Sequence, residues 1–428
     1  MSRMRARSCE AAFFFLLATL CLRFPGAQAQ TFTILHNFTG GGDGSEPLAG
    51  LVMDRAGNLY GTTSGGNTLY NGNVFKLHNS GTGWIFTPIY QFAGGTDGSV
   101  PSAGVLIGND GSLYGTTYFG GDPNCEGGNC GTVFKLSPPL RICQRASCPW
   151  TKTEVYAFTD NGNEGANPGG GSLVEDAQRN LYGTTSYGGS QNCITGCGVV
   201  FELLPNGSHW TEKILYRFNG GTDGSGPYSG VTFDSPTVMF GTTTNGGDPN
   251  CYAGCGTVYQ LALSGSTWTE TVLYPLHGPN PDGAYPYAGV IEDQSGNLYG
   301  ATTSNGGGGG TVFELSRLAH GSPSNWAFNL LYSFPGYPEG PLGNLAFDSH
   351  GNLYGASSSG GAHNQGAVFK LSPNGDGTWT YTSLHDFTGG GDGGGPWGNM
   401  LVDAAGNVYG TTENGGSHYH GVVWMITP

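Results

Sequence analysis

Short apolar segments, separated by turns rich in glycine, asparagine and aspartate, recur along most of the chain. In the first complete unit, the apolar segment at 50–54 leads into a turn at 54–58 and an alternating segment at 59–63. A glycine-rich loop follows, and then come the segments at 74–77 and 89–92. Such segments, without helical periodicity, indicate antiparallel strands joined by hairpins. The pattern therefore predicts an all-β protein whose unit is four short strands.

The unit recurs seven times. Its second strand carries the phrase Leu-Tyr-Gly or a close variant, with Phe240 replacing tyrosine in the fourth unit and spacings of 54 to 68 residues. The repeated tyrosines are Tyr60, Tyr114, Tyr182, Tyr299, Tyr354 and Tyr409. Units of this length suit a propeller blade, so we predict one seven-bladed β-propeller domain over residues 30–428. We expect each tyrosine to pack on one neighbouring blade, while the glycine lets the other blade approach.

The two ends of the repeat region are out of phase. Residues 31–38 read like a fourth strand, whereas the last unit ends on its third strand at 422–426. Because an unpaired strand edge invites aggregation, we expect residues 31–38 to complete the blade that residues 397–426 build. Deleting this N-terminal strand should then destabilise the whole ring.

The first 29 residues differ from the rest. Three arginines within the first seven positions precede an apolar stretch at 11–22 and the sequence Ala27-Gln28-Ala29, which are the parts of a secretory signal peptide. We predict that residues 1–29 are removed and that the mature protein is secreted, to the periplasm or the extracellular space. No second apolar run is long enough to span a membrane.

The acidic balance excludes one class of partner. The formal net charge is −15, and without residues 1–29 the 11 basic and 29 acidic residues leave −18. A field of this sign disfavours nucleic acid and anionic membranes. The need for solubility alone also accounts for this negative charge. We expect the protein to be a monomer.

The eight cysteines beyond the predicted signal fall into four close pairs. They are Cys125 with Cys130, Cys143 with Cys148, Cys193 with Cys197 and Cys251 with Cys255. Close pairs in a secreted chain predict local disulfides, since a structural zinc site needs converging pairs with ligand spacing. Three of the pairs occupy the same place in the repeat, as expected for disulfides that close loops.

The sequence resembles the GloVer tandem-repeat family at residues 57–63, Gly-Asn-Leu-Tyr-Gly-Thr-Thr, and at the Val-Phe-Lys-Leu phrase of residues 74–77. The resemblance extends over about residues 31–428. It implies a propeller-like fold and secretion, without an established chemistry. Many members carry a C-terminal anchoring or sorting segment; none follows Pro428, so a soluble product is implied.

A second repeated phrase, an acid followed by glycine and then proline, links each fourth strand to the next unit. Its aspartates are Asp43, Asp97, Asp223, Asp282 and Asp392. We name these five the link aspartates. One interpretation is turn chemistry, since Asp-Gly favours a left-handed backbone and proline sets the entry to the next strand. The other is a ring of acids that holds a hydroxyl-rich ligand or a calcium ion, although calcium needs six to eight converging oxygens. We expect no other cofactor.

Aromatic residues also collect on the face that carries these links, where propeller topology places the loops between second and third strands. The loops hold Tyr70, Tyr118, Phe119, Tyr187, Tyr252 and Tyr419, and the links add Tyr228, Tyr285, Tyr287, Tyr337 and Trp397. Aromatic rings beside Asp and Asn suit stacking on sugar rings or contact with a protein chain, although several of them can simply cover glycine-rich loops. We predict ligand binding by the link aspartates together with Tyr285, Trp397 and Tyr419.

The motifs favour a binding protein without catalysis, because the chain has neither a nucleophile elbow nor a phosphate-binding glycine loop. The leading hypothesis is a secreted, non-enzymatic propeller that binds an extracellular carbohydrate polymer or a protein. The first alternative is a glycoside hydrolase or polysaccharide lyase with carboxylates near the central mouth, where Asp392 and Glu413 are the pair to inspect. The second is a purely structural surface protein.

Overall fold

The computed structural model describes residues 30–66, 71–125, 129–139, 149–159, 162–207, 209–251, 254–278, 282–304, 308–318, 326–335 and 340–428. The predicted signal peptide and the loop aromatics Tyr70, Tyr252 and Tyr337 lie outside the described residues. The same holds for Cys143 and for Cys148, so their predicted disulfide stays a prediction. Among the described residues, no helix is both long and apolar enough to cross a membrane.

The chain forms seven antiparallel sheets, each a blade whose strands follow one another outwards from the centre of the ring. The first strand, β1 (Thr31–Asn37), belongs to the last blade. Blade 1 contains β2 (Val52–Met53), β3 (Leu59–Thr63), β4 (Asn73–Asn79) and β5 (Trp84–Gln91). Blade 2 contains β6 (Leu106–Ile107), β7 (Leu113–Thr117), β8 (Thr132–Ser137) and β9 (Thr151–Ala157). Blade 3 contains β10 (Gly165–Pro168), β11 (Val174–Glu175), β12 (Leu181–Gly188), β13 (Val199–Asn206) and β14 (His209–Arg217).

The remaining blades follow the same plan. Blade 4 contains β15 (Thr232–Ser235), β16 (Val238–Thr243), β17 (Thr257–Ser264) and β18 (Thr267–Pro275). Blade 5 contains β19 (Ile291–Glu292), β20 (Leu298–Thr302), β21 (Thr311–Arg317) and β22 (Trp326–Ser333). Blade 6 contains β23 (Ala346–Phe347), β24 (Leu353–Ser357), β25 (Ala367–Pro373) and β26 (Trp379–Asp386). Blade 7 contains β27 (Leu401–Val402), β28 (Val408–Thr412), β29 (Val422–Thr427) and, outermost, β1. Short 3₁₀ helices lie at Gly95–Asp97 and Gly221–Asp223 in two of the links.

The N-terminal strand closes the ring. β1 pairs antiparallel with β29, from Thr31 opposite Thr427 to Asn37 opposite Val422, with a register shift between Ile34 and His36. In blade 1, β4 and β5 show the same irregularity at the equivalent place. The predicted closure is therefore confirmed, and β1 has the geometry of an ordinary outer strand.

A buried aromatic side chain on each third strand forms the centre of each blade. These residues are Phe75, Phe134, Phe201, Tyr259, Phe313, Phe369 and Trp424. The glycine of the Leu-Tyr-Gly phrase makes room for this ring, since a Cβ at Gly61 would lie 2.6 Å from the Phe75 ring in the paired strand. The expectation that this glycine admits a neighbouring blade is wrong, because the atoms that need the space belong to its own blade.

The repeated tyrosine does pack on the next blade, as predicted. Tyr60 shares a core cluster with Leu113 and Phe134 of blade 2. Its hydroxyl donates a hydrogen bond of 3.0 Å to Asp54 in the turn between the inner and second strands. The same bond recurs in the pairs Tyr182–Asp176, Tyr299–Asp293, Tyr354–Asp348 and Tyr409–Asp403. The tyrosine thus stabilises both the interface with the next blade and the turn after the inner strand.

Glycine backbones meet at the centre of the ring. A Cβ at Gly50 would lie 2.7 Å from the carbonyl oxygen of Asn399 in blade 7, and one at Gly104 would lie 3.1 Å from that of Gly50. The remaining opening is a cavity of ≈ 40 Å³ that residues from all seven blades line. A volume of this size holds about one water molecule. Among the described residues, the ring therefore has no wide mouth at its centre, on the side where Tyr287 and Trp397 line the cavity.

Candidate binding face

The links and the loops between second and third strands lie together on one face, which we call the link face. Isolated bridges join the two kinds of segment, for example Ser99 to Phe119, Ser225 to Asn245 and Gly394 to Asn414. These bridges extend each blade beyond its second strand, so the loops have a rigid base. The co-location that propeller topology predicts is therefore observed.

The link face contains a wide groove between the loops of blades 2 and 3, with a volume of ≈ 1040 Å³. Tyr118, Phe119 and Asn129 contribute one wall, and the loop from Tyr187 to Gly196 contributes the other. Asn167 joins the two sides, since its side-chain amide donates to the carbonyl oxygens of Tyr118, at 2.9 Å, and Asn129, at 2.8 Å. Both amide hydrogens are used, so the side-chain oxygen of Asn167 is left as an acceptor.

The chemistry of the groove is aromatic and amide-rich. Phe119 and Tyr187 are each 38% exposed, whereas Ile194 at the tip of the blade 3 loop is fully exposed. The described residues that line the groove include Gln191 and Asn192 but no Asp, Glu, Lys, Arg or His. In a chain with a net charge of −15, this described lining carries no charged side chain.

A row of aromatic side chains leads from the groove towards the centre of the ring. The aromatic row consists of Phe119, Tyr118, Tyr187, Tyr228 and Tyr287. Tyr118 meets Phe119 edge to face at 4.8 Å, and Tyr228 meets Tyr287 in the same way at 5.3 Å. Burial raises the pKa of Tyr118, and the hydroxyls of Tyr187, Tyr228 and Tyr287 raise it further. The Tyr118 hydroxyl is therefore within electrostatic reach of the other three.

Disulfides close the loops on both sides of the groove. Cys125–Cys130 lies in the blade 2 loop and Cys193–Cys197 in the blade 3 loop. Cys251–Cys255 closes the corresponding loop of blade 4. Three of the four predicted pairs are thus confirmed, and they indicate an oxidising compartment.

The fourth predicted disulfide, between Cys143 and Cys148, is not among those that the structure shows. Neither Cys143 nor Cys148 belongs to the described residues, which break off at 139 and resume at 149. This segment follows the third strand of blade 2, whereas the three observed disulfides lie in loops between second and third strands.

The link aspartates bind groups of their own link and of the strand before it, and Asp97 also binds Lys152 of the following blade. Asp97 accepts hydrogen bonds from the Ala93 amide at 2.7 Å and the Tyr90 hydroxyl at 2.8 Å. Asp223 is held by the equivalent groups Asn219 and Tyr216, and Asp43 and Asp392 are each held by a threonine and a histidine. Asp282 accepts from the Tyr274 hydroxyl and contacts the His277 ring nitrogen, both at 2.7 Å. The structure therefore gives each of these carboxylates a local partner set, as turn chemistry requires, and does not bring them together.

The charge state of the link aspartates follows from these bonds. Burial acts to raise the pKa of Asp97, but hydrogen bonds from Lys152, Ala93 and Tyr90 outweigh it and hold the pKa below its usual value. The pKa values of Asp43 and Asp392 are lowered in the same way, against burial, by their threonine and histidine partners. In the part of the chain that the structure describes, no three Asp, Glu, His or Cys side chains are grouped to hold a metal ion. Ligand binding by these aspartates stays a prediction.

The three predicted aromatic ligand residues lie in three separate places. Tyr285 packs in the cluster around Cys255 and Leu276. Trp397 lines the small central cavity, and Tyr419 is 76% exposed on the loop of blade 7. None of the three lines the groove, and their role in binding remains untested. The groove aromatics were visible in the sequence as loop aromatics, but no sequence signal distinguished them from the others.

The carboxylate of Glu413 lies beside Glu46 of the neighbouring link. Burial raises the pKa of Glu413, and the charge of Glu46 raises it further, against hydrogen bonds from Asn414 and Trp397. Asp392, which the sequence suggested as its companion, is instead held by His385 at 3.1 Å. A half-buried carboxyl beside a second carboxylate and an indole is therefore present near the centre of the link face.

Comparison with solved structures finds distant likenesses. Two solved structures similar to this chain are a putative oxidoreductase (glucose dehydrogenase) from Thermus thermophilus, at 15% identity and a TM-score of 0.42, and a glucose dehydrogenase, at 12% and 0.47. Each alignment covers 93% of this chain and 99% of the other. At these scores the likeness carries no argument about fold or activity. No curated protein matches the sequence significantly.

The family comparison is informative over most of the chain. The model of the Gloeobacter/Verrucomicrobia repeat matches residues 24–252 and residues 193–424. Together the two matches take in all seven blades, and they agree with the resemblance that the repeated phrases suggested. The chain belongs to the Gloeobacter/Verrucomicrobia repeat family.

Proposed function

We propose that this protein is a secreted, non-enzymatic propeller that binds an uncharged extracellular polysaccharide in the groove between blades 2 and 3. The observation that supports this most directly is the composition of the groove, whose described lining combines exposed aromatic rings with side-chain amides and contains no charged side chain. Sugar rings present an apolar face and a polar edge, and aromatic rings and amides complement these two kinds of surface.

The neutrality of the groove selects among polymers. An acidic polysaccharide would need Lys or Arg in the groove to offset the overall net charge of −15, and the described lining residues include neither. A groove of ≈ 1040 Å³ is also at the upper end of ordinary ligand sites, which suits several sugar units better than one. The aromatic row continues towards Tyr287, which is 37% exposed, so a longer chain would find further contacts along the link face.

The test is titration calorimetry with soluble neutral β-glucans and mannans, and with alginate as a charged polymer. We expect neutral polymers to bind and alginate not to bind. Tyr187→Ala and Phe119→Ala should each weaken binding about tenfold, equivalent to about 1.4 kcal/mol for the loss of one stacking ring. Tyr419→Ala, which removes an exposed aromatic ring from the blade 7 loop, is the matched control and should bind like the wild type.

Two results would contradict the proposal. If Tyr187→Ala and Phe119→Ala bind a neutral polymer as well as the wild type does, the groove is the wrong location. If no polysaccharide binds and a secreted protein is captured through the same two side chains, the ligand is a protein chain.

A second candidate function, cleavage of the polysaccharide, is favoured by one observation, the raised pKa of Glu413 beside Glu46 and Trp397. A carboxyl of raised pKa next to a second carboxylate is the arrangement that glycoside hydrolysis uses. Incubation with the same polymers, followed by assays for reducing ends and unsaturated products, tests it with Glu413→Gln as the inactive control. Absence of any product from the wild type would leave binding as the function.

A further inference from the structure

One position on the outer strand of every blade contacts the preceding blade. It is the residue that pairs in register with the last buried aliphatic side chain of the third strand. The seven residues at this position are Phe32, Phe86, Lys152, Glu212, Glu270, Phe328 and Tyr381. Because the backbone geometry repeats, the seven side chains can be compared directly.

Four of the blade interfaces use stacked rings at this position. Phe86 stacks on His36 at 4.1 Å, and Phe32 on His385 at 3.8 Å. Two further stacks join Tyr274 to Phe328 at 4.9 Å and Tyr332 to Tyr381 at 4.3 Å. Each of these interfaces therefore buries an apolar contact between one outer strand and the next.

The interface between blades 1 and 2 uses an ion pair instead. The Lys152 ammonium lies 2.7 Å from the Asp97 carboxylate and 2.6 Å from the Asp97 carbonyl oxygen. The Lys152 side chain is only 9% exposed. A link aspartate can thus take a cationic side chain from the following blade.

On both sides of blade 3 the same position is a glutamate that faces another acid. Towards blade 2, Glu212 accepts a hydrogen bond of 3.1 Å from the Tyr156 hydroxyl and lies near Glu164 of the link. Its other carboxyl oxygen is buried without a hydrogen-bond partner among the described residues. The cation that acts on it is Arg217 of its own strand, whose side chain donates to the carbonyl oxygen of Asn163.

Towards blade 4, Glu270 occupies the position of the lysine that binds Asp97 two interfaces earlier. Glu270 and the link aspartate Asp223 line a cavity of ≈ 540 Å³ together with Asp248 and His277. One oxygen of Glu270 is buried without a hydrogen-bond partner in the described part of the chain. The hydroxyls of Tyr216 and Tyr259 are the remaining titratable groups near it.

We propose that these two carboxyls make blade 3 a pH-sensitive element: protonated, they hold blades 2, 3 and 4 together, and ionised, they repel the adjacent acids and loosen both interfaces. The arrangement is specific to blade 3, since every other described interface places a ring stack or an ion pair there. A protonated carboxyl can donate to the neighbouring acid, whereas two carboxylates at one partly buried place repel each other.

The direction of the pH effect follows from the two carboxyls. Burial, and then Glu164, raises the pKa of Glu212 to about 7, and burial, and then Asp223, raises that of Glu270 to about 7. In the unfolded chain both groups lose their protons near their ordinary value of 4.5. The folded state therefore binds more protons at these two carboxyls between these values, so their contribution to stability is greatest below about pH 4.5 and falls as the pH rises towards about 7.

Urea unfolding between pH 5 and pH 8, with EDTA in every buffer to exclude bound cations, tests the proposal. The wild-type midpoint should fall as the pH rises. Glu212→Gln with Glu270→Gln should raise the midpoint at pH 8 and make the slope shallower without abolishing it, since Glu292 and Glu413, whose pKa values are also raised, still contribute. Glu154→Gln, an exposed glutamate on the outer strand of blade 2, is the matched control and should follow the wild type.

Hydrogen exchange locates the effect. Protection of β14 and β18 should decrease between pH 5 and pH 8 after correction for intrinsic rates, while β26 should change less. If the double variant does not fold, each single variant should remove about half of the part of the slope that the pair contributes. A wild-type midpoint that is constant over this range, or a double variant with the wild-type slope, would overturn the proposal.

Blade 3 carries one wall of the groove, so we also expect weaker polysaccharide binding at high pH. This consequence rests on the proposed function, whereas the stability test does not.

Discussion

Replacing Phe38 by alanine measures how firmly the N-terminal strand closes the ring. Phe38 is fully buried, meets Phe75 edge to face at 5.4 Å, and donates its backbone amide to the Gly421 carbonyl at 3.1 Å. Truncation of a buried phenylalanine costs about 3–5 kcal/mol, from lost transfer free energy plus the cavity left behind. We expect a loss of that size for Phe38→Ala if the N-terminal strand is as firmly held as the other outer strands.

Phe92→Ala is the matched control, because Phe92 occupies the same place between blades 1 and 2. It is 1% exposed, meets Phe134 edge to face at 5.1 Å, and donates its amide to Gly72 at 3.1 Å. The main difference lies in the residue that accepts the backbone hydrogen bond. Gly72, which accepts from Phe92, is 20 residues earlier in the chain, whereas Gly421, which accepts from Phe38, comes from the other end of the chain. Equilibrium urea unfolding, followed by tryptophan fluorescence, should therefore give the two variants equal losses within about 1 kcal/mol.

A small loss for Phe38→Ala would refute this reasoning. If it costs less than about 1 kcal/mol while Phe92→Ala costs about 3–5 kcal/mol, the first strand is frayed in solution and the ring is closed by the remaining strands of blade 7. Far-UV circular dichroism of both variants at zero urea serves as the check that each one folds.

Two further changes test single contacts. Tyr60→Phe should cost about 1 kcal/mol in urea unfolding, because Asp54 loses one hydrogen-bond donor, and a variant as stable as the wild type would show that the hydroxyl contributes nothing. Asp97→Ala should cost about 2–3 kcal/mol at neutral pH, because the nearly buried Lys152 loses its counter-charge. Polysaccharide binding measured by calorimetry should stay unchanged in Asp97→Ala, and a loss of binding at wild-type stability would instead favour a ligand role for the link aspartates.

The fold follows from the sequence because its signals are local and repeated. The Leu-Tyr-Gly phrase sets the strand and the blade count, and the fourth-strand character of residues 31–38 reveals the closure. The exact partner of the repeated glycine was not predictable, since alternation along a strand cannot tell whether the space beside Gly61 is filled by the next blade or by Phe75.

The candidate site was only partly predictable. The sequence placed the aromatic residues on the correct face, but the groove exists because two loops of particular length stand apart between blades 2 and 3, and loop conformation is not encoded in a repeating pattern. For the link aspartates, the sequence pattern suggested more function than the structure shows. Asp43 and Asp392 are repeated in the sequence, but each contacts a histidine seven positions earlier, His36 or His385, and this local contact gives the repetition a structural reason.

The glycine contacts at the centre of the ring also limit how such a protein can evolve. Backbones of neighbouring blades already touch there, for example Gly343 against Gly398 and Gly398 against Ala49. A gene duplication that inserted an eighth unit would widen this hub and separate glycines that have no side chain to fill the space. Losing a unit would force the same backbones into each other. The number of repeats is therefore restricted by the smallest residues of the protein, and new functions in this lineage should arise by changing loops and not by changing the number of blades.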